Sequence, residues 1–249
     1  MIKNKKLRSV LFIILTVFIA RFAYKYSPKR IEFLGHYEKV GAHRVNSIEK
    51  LTAALDYFEI IELDLVYFSE SQTLDVGHPP APSISLTFER YLDAIPKDCR
   101  PFLWLDIKNL TSENASEVLN RISLLLKKRQ YPFEKLLIES QHPEALELFN
   151  DTGFQTSYYL PIGLTKKSAS ELDSAIETIQ LALSKNKKMG VSSNYLDYEI
   201  MSKNFPKRQK YVWKIDGLTF NNYSPTRKIL KDTTVKVVLS RFRSFKGNR

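Results

Sequence analysis

Ile60-Ile61-Glu62-Leu63-Asp64-Leu65 is the centre of the stretch that decides the fold, which runs from residue 41 to residue 108. Side chains alternate between the two faces of a β-strand, so Glu62 and Asp64 share one face, whereas Ile61, Leu63 and Leu65 share the other. Leu103-Trp104-Leu105-Asp106-Ile107-Lys108 repeats this pattern, with its aspartate and lysine on a common face. Because buried carboxylates need compensating positive charge, the two strands predict a divalent cation surrounded by basic side chains.

Two further pieces of this stretch carry histidines at or just past apolar segments. They are Gly41-Ala42-His43-Arg44-Val45-Asn46-Ser47 and Gly77-His78-Pro79-Pro80. In an α/β protein, the residues at the carboxyl ends of parallel strands gather at one edge of the sheet. We therefore predict a metal-dependent active site at the carboxyl ends of parallel strands.

Short apolar runs alternate with helix-periodic segments from residue 31 onward. The runs predict strands at 40–43, 60–67, 102–107, 136–140, 155–159, 189–192, 211–215 and 235–239. Helices are predicted at 48–57, 86–95, 113–128, 143–150, 169–184, 196–203 and 225–230. Eight strands separated by seven helices indicate an α/β protein with a (β/α)8 TIM barrel. A doubly wound open sheet is the alternative, but the chain has no Gly-rich phosphate loop.

The first 30 residues differ from the rest of the chain. A basic run, residues 1–8, precedes an apolar stretch at 10–20, which is the layout of an export signal. Because no convincing cleavage site follows, we expect residues 1–30 to be an uncleaved signal anchor, with secretion after cleavage as the alternative. The basic residues favour a cytoplasmic N-terminus and an extracytoplasmic barrel of residues 31–249.

The positive charge is concentrated at the N-terminus. The formal net charge is +11, of which residues 1–30 contribute +8, because they hold eight Lys or Arg and no Asp or Glu. The remaining residues carry 30 basic against 27 acidic side chains, or +3. We therefore do not expect a nucleic-acid partner. The single cysteine, Cys99, excludes an intramolecular disulfide and a cysteine-rich zinc site.

The candidate site residues fall at the predicted barrel mouth. Three carboxylates form an oxygen-rich set that suits one divalent cation, Mg2+ or Ca2+. Two histidines can act as general acid and general base, and two cations can bind a phosphate. These groups are Glu62, Asp64 and Asp106, then His43 and His78, then Arg44 and Lys108. Together they indicate cleavage of a phosphodiester.

The order and spacing of these groups resemble a known superfamily. His43-Arg44, Glu62-x-Asp64, His78 and Asp106-x-Lys108 resemble the pattern of the glycerophosphodiester phosphodiesterases, a superfamily of (β/α)8 barrels that use one divalent cation. The resemblance implies that the three carboxylates are metal ligands and that the two histidines form the acid/base pair. It also implies that Arg44 and Lys108 lie near the phosphate.

Several departures from that pattern point to a side branch. Asp106 stands where the phosphodiesterases usually have Glu, and Pro79-Pro80 follows the second histidine. With Asn46-Ser47 and Leu105-Asp106-Ile107-Lys108, these features resemble the menorin family, a phosphodiesterase-like group whose activity is poorly assigned. Arg44 is closer to the phosphodiesterase pattern, because menorins tend to have a small residue there.

Two residues outside these motifs complete the predictions. Trp213, on the seventh predicted strand, either lines the substrate pocket or fills the core. Asn46 either orients His43 or caps the helix that begins near Ile48, and we expect capping.

Three hypotheses about function follow. The first is a membrane-anchored phosphodiester hydrolase that acts on a glycerophosphodiester or on a (lyso)phospholipid head group. The second is a menorin-like barrel with weak or no activity that serves as a binding or scaffold module in the cell envelope. A third is a binder of nucleic acid or anionic lipid through the N-terminal charges. The sequence does not decide the oligomeric state.

Overall fold

The computed structural model describes residues 5–213 and 223–243, and in it eight parallel strands close into a barrel. The strands, with one additional antiparallel strand numbered in chain order as β3, are β1 (Val40–His43), β2 (Ile60–Phe68), β3 (Thr73–Val76), β4 (Phe102–Ile107), β5 (Leu136–Ser140), β6 (Gln155–Tyr159), β7 (Gly190–Asn194), β8 (Lys210–Trp213) and β9 (Val235–Arg241). The first and last of the parallel strands pair with each other, and β1 also pairs with β2 through Ala42 and Ile61. This closure confirms the (β/α)8 barrel and excludes the open sheet.

Helices follow the strands on the outside of the barrel. Their bounds are α1 (Lys5–Tyr26), α2 (Ile48–Leu55), α3 (Phe88–Asp93), α4 (Ala115–Lys128), α5 (Glu147–Asp151), α6 (Ala169–Ser184), α7 (Tyr198–Asn204) and α8 (Tyr223–Lys231). The helix expected over 143–150 begins as a 3-10 turn, Pro143–Leu146, before it becomes α5. Of the strand expected over 211–215, the last two residues lie outside the described part of the chain.

The segment between β2 and α3 forms a hairpin with the end of β2. Strand β3 runs antiparallel to β2, and Leu65 pairs with Val76. The backbone N–H of Gly77 then donates to the carbonyl of Asp64 at 3.1 Å. These bonds return the chain to the end of β2 and set the next residue, His78, at the barrel mouth.

Large side chains fill the barrel interior below the mouth. Trp104 and Tyr211 are fully buried and meet edge-on, with ring centroids 5.6 Å apart. Space for Tyr211 depends on Gly190 of the neighbouring strand, because a Cβ there would lie 2.8 Å from the tyrosine ring. This layer closes the barrel below the mouth, so the cavity at the mouth has a floor.

Helix α1 stands apart from the barrel over most of its length. It has 22 residues and is long and apolar enough to cross a membrane, judged by its length and composition. Near its C-terminal end it contacts the segment after β9: Tyr26 is buried, and the Arg243 guanidinium lies over the rings of Phe22 and Tyr26. Beyond the helix, the Arg30 guanidinium donates to the Ser240 hydroxyl at 3.0 Å and pairs with Glu32, which ties the connecting segment to β9.

Candidate active site

A cavity of about 530 Å3 opens at the carboxyl ends of the strands. The eight side chains that the sequence singled out all line it: His43, Arg44, Glu62, Asp64, His78, Asp106, Lys108 and Trp213. They come from β1, β2, β4 and β8 and from the loops that follow β1, β3 and β4. The fold therefore brings together every candidate site residue in one cavity.

The three carboxylates form a compact cluster at the bottom of this cavity. Parallel pairing sets Asp64 beside Asp106, and Glu62 lies two residues earlier on the same face of β2. Each residue offers one carboxylate oxygen, and these oxygens lie within 4.8 Å of one another. Glu62 and Asp64 are almost completely buried. The strand register thus concentrates three acidic groups in a small volume.

One ammonium group partly neutralises the cluster. Lys108 Nζ lies 2.7 Å from Asp64 Oδ1 and also donates to Asp106 Oδ2. Even so, burial and the charge of Asp64 raise the pKa of Glu62 well above its usual value. Burial also raises the pKa of Asp106, against the opposing effect of Lys108. The cluster therefore carries more negative charge than Lys108 compensates.

A divalent cation fits this donor set. Carboxylate oxygens are the ligands that Mg2+ and Ca2+ prefer, and Glu62, Asp64 and Asp106 would hold the ion. Three carboxylates and one ammonium leave a formal charge of −2 when all four groups are ionised, which a dication balances.

Asn46 holds the central carboxylate in place. Its Nδ2 donates to Asp64 Oδ2 at 2.6 Å, and its Oδ1 accepts from the backbone N–H of Asp64 at 3.0 Å. The prediction that Asn46 caps α2 is wrong. Ser47 caps that helix instead, since its hydroxyl accepts from the backbone N–H of Lys50. The asparagine is therefore free to bind the strand beside it.

We expect Asn46→Ala to weaken cation binding by about 10- to 100-fold, because outer-shell groups fix the orientation of the ligand carboxylates. Isothermal titration of the metal-stripped protein with Mg2+ and Ca2+ measures this loss. The matched control is Ser47→Ala, which removes the helix cap next door and costs about 1 kcal/mol of stability. Equal cation affinity in the two variants would show that Asn46 does not orient Asp64.

His43 lies at the end of β1 beside the carboxylate cluster. Its Nε2 is 3.8 Å from Glu62 Oε2. Burial and the neighbouring Arg44 guanidinium lower the pKa of His43 to about 3. The imidazole is therefore neutral at physiological pH and able to accept a proton. Its Nδ1 is buried and has no hydrogen-bond partner in residues 5–213 and 223–243.

Arg44 follows His43 in the chain and contacts His78 through its side chain. Its backbone is in the left-handed region, with φ at 55°, a conformation that is uncommon for residues other than glycine. In this conformation its backbone N–H donates to Glu62 Oε2 at 2.5 Å, while its Nη2 lies 2.9 Å from His78 Nε2. Backbone strain of this kind collects at functional sites. Arg44 therefore contacts the carboxylate cluster through its backbone and His78 through its guanidinium.

The lining of the cavity also contains groups that the motifs did not indicate. Tyr159 packs edge-on against Trp213, with ring centroids 4.7 Å apart, and both rings line the cavity. Arg241, which pairs with His43 in register across β9 and β1, adds a third cationic side chain to the lining. Besides the carboxylate cluster and its basic neighbours, the mouth therefore contains two aromatic rings and a third cationic side chain.

Known proteins resemble this chain in structure rather than in sequence. No protein-family model and no curated protein sequence matches it. A glycerophosphodiester phosphodiesterase from Parabacteroides distasonis aligns with a TM-score of 0.56 and 17% identity, covering 81% of this chain and 91% of that one. A phosphodiesterase from Oleispira antarctica, solved in complex with the product sn-glycerol-3-phosphate, aligns with a TM-score of 0.55 and 16% identity, covering 81% and 92%. The chain has the barrel fold of these phosphodiesterases.

Glu139 is a further titratable group of this barrel mouth. It pairs in register with Asp106, is buried, and lines the same cavity. The Trp104 indole N–H donates to its Oε2 at 3.0 Å. Burial, reinforced by the charge of Asp106, raises the pKa of Glu139 to about 8. A glutamate within an apolar strand was the available signal in the sequence, but Glu139 belongs to none of the motifs.

We expect the Glu139→Gln variant to gain stability relative to the natural protein as the pH rises from about 5 to about 8. In the unfolded chain this carboxyl releases its proton near its ordinary pKa, about 4.3, whereas in the folded chain it keeps the proton up to its raised pKa. The natural protein therefore loses stability across this range, and glutamine, which does not titrate, removes that loss.

Denaturant unfolding in the presence of a chelator, at both ends of this pH range, measures the difference. Glu177→Gln, an exposed change on α6, is the matched control and should show no pH-dependent difference from the natural protein. A stability difference for Glu139→Gln that does not change with pH would show that Glu139 is ionised in the folded chain.

Proposed function

We propose that this protein is a metal-dependent phosphodiester hydrolase. The observation that carries the proposal is one cavity lined by three clustered carboxylates, two histidines and the basic side chains of Arg44 and Lys108. Phosphodiester cleavage needs stabilisation of negative charge on the phosphoryl oxygens, a proton acceptor for the nucleophile and a proton donor for the leaving group. The side chains of this cavity match these three requirements.

Each side chain takes a role that follows from its position. A divalent cation held by Glu62, Asp64 and Asp106 would act as a Lewis acid toward the phosphoryl oxygens. His43, neutral because its pKa is low, accepts the proton of the attacking hydroxyl. His78, on the loop that follows β3, donates a proton to the leaving group through Nδ1, because its Nε2 accepts from Arg44 Nη2. Arg44 and Lys108 bind the phosphate through charge-assisted hydrogen bonds.

The substrate class follows from the size and lining of the cavity. A volume of about 530 Å3 accommodates a small phosphodiester, and the Trp213 and Tyr159 rings offer a wall for its alcohol or head group. The product named for the Oleispira antarctica phosphodiesterase, sn-glycerol-3-phosphate, supports the same class. We therefore assign a glycerophosphodiester or a (lyso)phospholipid-type substrate.

The N-terminal segment sets the location of this activity. The length and composition of α1 and the exposure of its apolar residues support a signal anchor within residues 1–30, followed by a barrel domain over residues 31–249. The basic residues within positions 1–8 support an extracytoplasmic barrel. The protein would then act at a membrane of the cell envelope.

The test is hydrolysis by the full chain in detergent, stripped of metal and then supplied with Mg2+, Ca2+ or chelator. The substrates are glycerophosphodiesters, lysophospholipids and an activated aryl phosphodiester. Cation-dependent release of a phosphomonoester supports attack by water, and a cyclic phosphate detected by 31P NMR supports attack by a substrate hydroxyl. Cation binding without turnover of any of these substrates would contradict the proposal.

The second candidate is a menorin-like barrel that binds a ligand without efficient turnover. Lys108 supports it, because its ammonium sits against two of the three carboxylates and takes part of the role of a cation. Such a module binds phosphodiesters without hydrolysing them, and Lys108→Met would then abolish ligand binding. In the hydrolase, the same change lowers turnover and leaves cation binding intact.

A further inference from the structure

Helix α1 meets the barrel at the end that holds the mouth cavity. Arg241, the last residue of β9, lines that cavity. Two residues later, the Arg243 guanidinium lies 5.7 Å from the Phe22 ring centroid and 4.5 Å from the Tyr26 ring centroid. Both rings belong to the last two turns of α1. The C-terminal end of α1 and the rim of the mouth are therefore neighbours.

The connection between α1 and the barrel is short and fixed. Residues 27–29 separate the end of the helix from Arg30, and three residues span at most about 11 Å. The Arg30 guanidinium donates to the Ser240 hydroxyl, near the carboxyl end of β9, at 3.0 Å and pairs with Glu32 at 3.3 Å. All three side chains are buried. A bilayer that contains α1 therefore lies at the mouth end of the barrel.

The last two turns of α1 have the composition of a membrane interface. After the apolar run at 10–20 the sequence reads Arg21-Phe22-Ala23-Tyr24-Lys25-Tyr26. Aromatic and basic side chains of this kind gather at the level of the lipid head groups. The guanidinium of Arg243, which contacts this segment, carries a charge that the hydrocarbon region disfavours. When α1 spans a bilayer, the carboxyl end of β9 thus lies at the level of the head groups.

Exposed apolar side chains stand on the loops around the mouth. Ile162 follows β6 and lines the cavity, Leu196 follows β7, and Ile84 lies between β3 and α3. Their exposed fractions are 62%, 51% and 59%, and Phe68, beside the tip of the β2–β3 hairpin, is 49% exposed. Apolar side chains gain free energy when they leave water for the interface of a bilayer. These four residues form what we call the apolar rim.

We propose that the mouth faces the bilayer that α1 enters, with the apolar rim inserted in its interface, and that the cavity takes its phosphodiester from the lipids of that bilayer. This rests on the proposed hydrolase function and on α1 being a membrane segment, and it narrows the substrate class to (lyso)phospholipids. A lipid phosphate has only to move from the head-group layer into the cavity, where the exposed Arg44 guanidinium binds it. A soluble glycerophosphodiester has to enter between the rim and the membrane.

The first test measures which side chains enter the bilayer. In a Cys99→Ser background, Ile84→Cys and Leu196→Cys are labelled with an NBD fluorophore, and the full chain is reconstituted into phosphatidylcholine vesicles recovered by flotation. The matched controls are Leu124→Cys on α4 and Leu148→Cys on α5, whose leucines are 61% and 46% exposed. We expect doxyl-labelled lipids to quench the probes on the rim by about half or more and to leave the controls unquenched, because interfacial side chains reach below the head groups.

The second test asks where the substrate comes from. The substrates are vesicle lipids with choline, ethanolamine or glycerol head groups, their lyso forms and the matching soluble glycerophosphodiesters. Ile84→Glu with Leu196→Glu should lower hydrolysis of the vesicle lipid by about tenfold or more, the effect of withdrawing two apolar side chains from the bilayer. It should leave kcat/KM for the soluble substrate at its natural value. Leu124→Glu with Leu148→Glu is the matched control and should change neither rate.

Several outcomes would overturn this orientation. They are a chain that does not float with the vesicles, quenching of the control probes in place of those on the rim, and equal quenching of both. Cation-dependent hydrolysis of soluble glycerophosphodiesters without hydrolysis of any vesicle lipid would overturn the substrate assignment and leave the hydrolase function standing. Quenched probes on the rim without turnover of either kind of substrate would overturn the hydrolase function together with the substrate assignment.

Discussion

The Asp64→Asn variant is expected to lose divalent-cation binding and, with it, measurable turnover of any phosphodiester. Asp64 is the central member of the carboxylate cluster, buried between Glu62 and Asp106, and each of its oxygens is held by a neighbour. Asparagine keeps the shape but removes one negative charge of the three that would hold a dication. We expect the cation affinity to fall by more than about 100-fold, the upper end for changes of outer-shell groups.

Stability separates this loss from unfolding. In chelator, the variant loses an ion pair with Lys108 but also loses the repulsion that raises the pKa of Glu62. These effects oppose each other, so the metal-free melting temperature should change little. In the natural protein, added cation should raise the melting temperature through binding to the folded state, and in Asp64→Asn it should not.

The matched control is Asp173→Asn, an exposed aspartate on α6 far from the cavity in the fold. It should bind cation and turn over substrate as the natural protein does. If Asp64→Asn bound Mg2+ or Ca2+ with natural affinity, the carboxylate cluster would not be the cation site. Loss of turnover with natural cation affinity would assign Asp64 a role in catalysis other than binding the ion.

The carboxylate cluster was predictable because it depends on local rules. Side chains alternate along β2 and β4, so Glu62, Asp64 and Asp106 fall on the inward faces of these strands. Parallel alignment places the carboxyl ends of both strands at the same end of the barrel. Both strands are among the longest apolar runs of the chain, so their bounds were also predicted well. The structure adds the register, which sets Asp64 beside Asp106.

The remaining residues that line the mouth were not predictable in the same way. Tyr159, Arg241 and Glu139 come from three separate strands, and no spacing in the sequence connects them. Their meeting depends on which strands are neighbours and on how each pair is registered, which tertiary pairing decides. The role of Asn46 was mispredicted for a different reason. Asn46 and Ser47 are neighbours and both are residue types that cap helices, and only packing against β2 decides which of them caps α2.

Exposed lysines at the amino ends of the strands show how a net charge can hide an uneven distribution of charge. Lys135, Lys188 and Lys207 each stand within a few residues before a strand, and such positions collect at the amino ends of parallel strands. The net charge of +3 over residues 31–249 gave no sign of this grouping. Acidic residues elsewhere on the barrel balance the sum without neutralising that face.

The two histidine variants should lose turnover in different ways while both keep the cation. His43 is neutral and lies next to Glu62, so it is placed to accept the proton of the nucleophile. His78 is half-exposed on its loop, and its Nε2 accepts from Arg44 Nη2, which leaves its other ring nitrogen, Nδ1, to donate a proton to the leaving group. Loss of a general acid or base costs about 10²- to 10⁴-fold in rate.

The leaving group distinguishes the two roles. An aryl oxide leaves without protonation, whereas the alkoxide of glycerol or choline needs a proton. His78→Gln should therefore be severely impaired on a glycerophosphodiester and much less impaired on an activated aryl phosphodiester. His43→Gln should be impaired on both, because the nucleophile needs its base whatever leaves. Steady-state kcat values on the two substrates, with cation affinity measured beside them, give the comparison.

His36→Gln is the matched control, since His36 precedes the barrel and does not line the mouth cavity. It should retain natural kcat on both substrates. Natural kcat in both His43→Gln and His78→Gln, together with loss of turnover in Asp64→Asn, would remove the histidines from the reaction and leave the cation site alone as its basis. A reversed pattern, in which the aryl substrate rescues His43→Gln and not His78→Gln, would exchange the acid and the base. The exchange of roles is decided by the ratio of the two kcat values within one variant, which a partial loss of folded protein does not change.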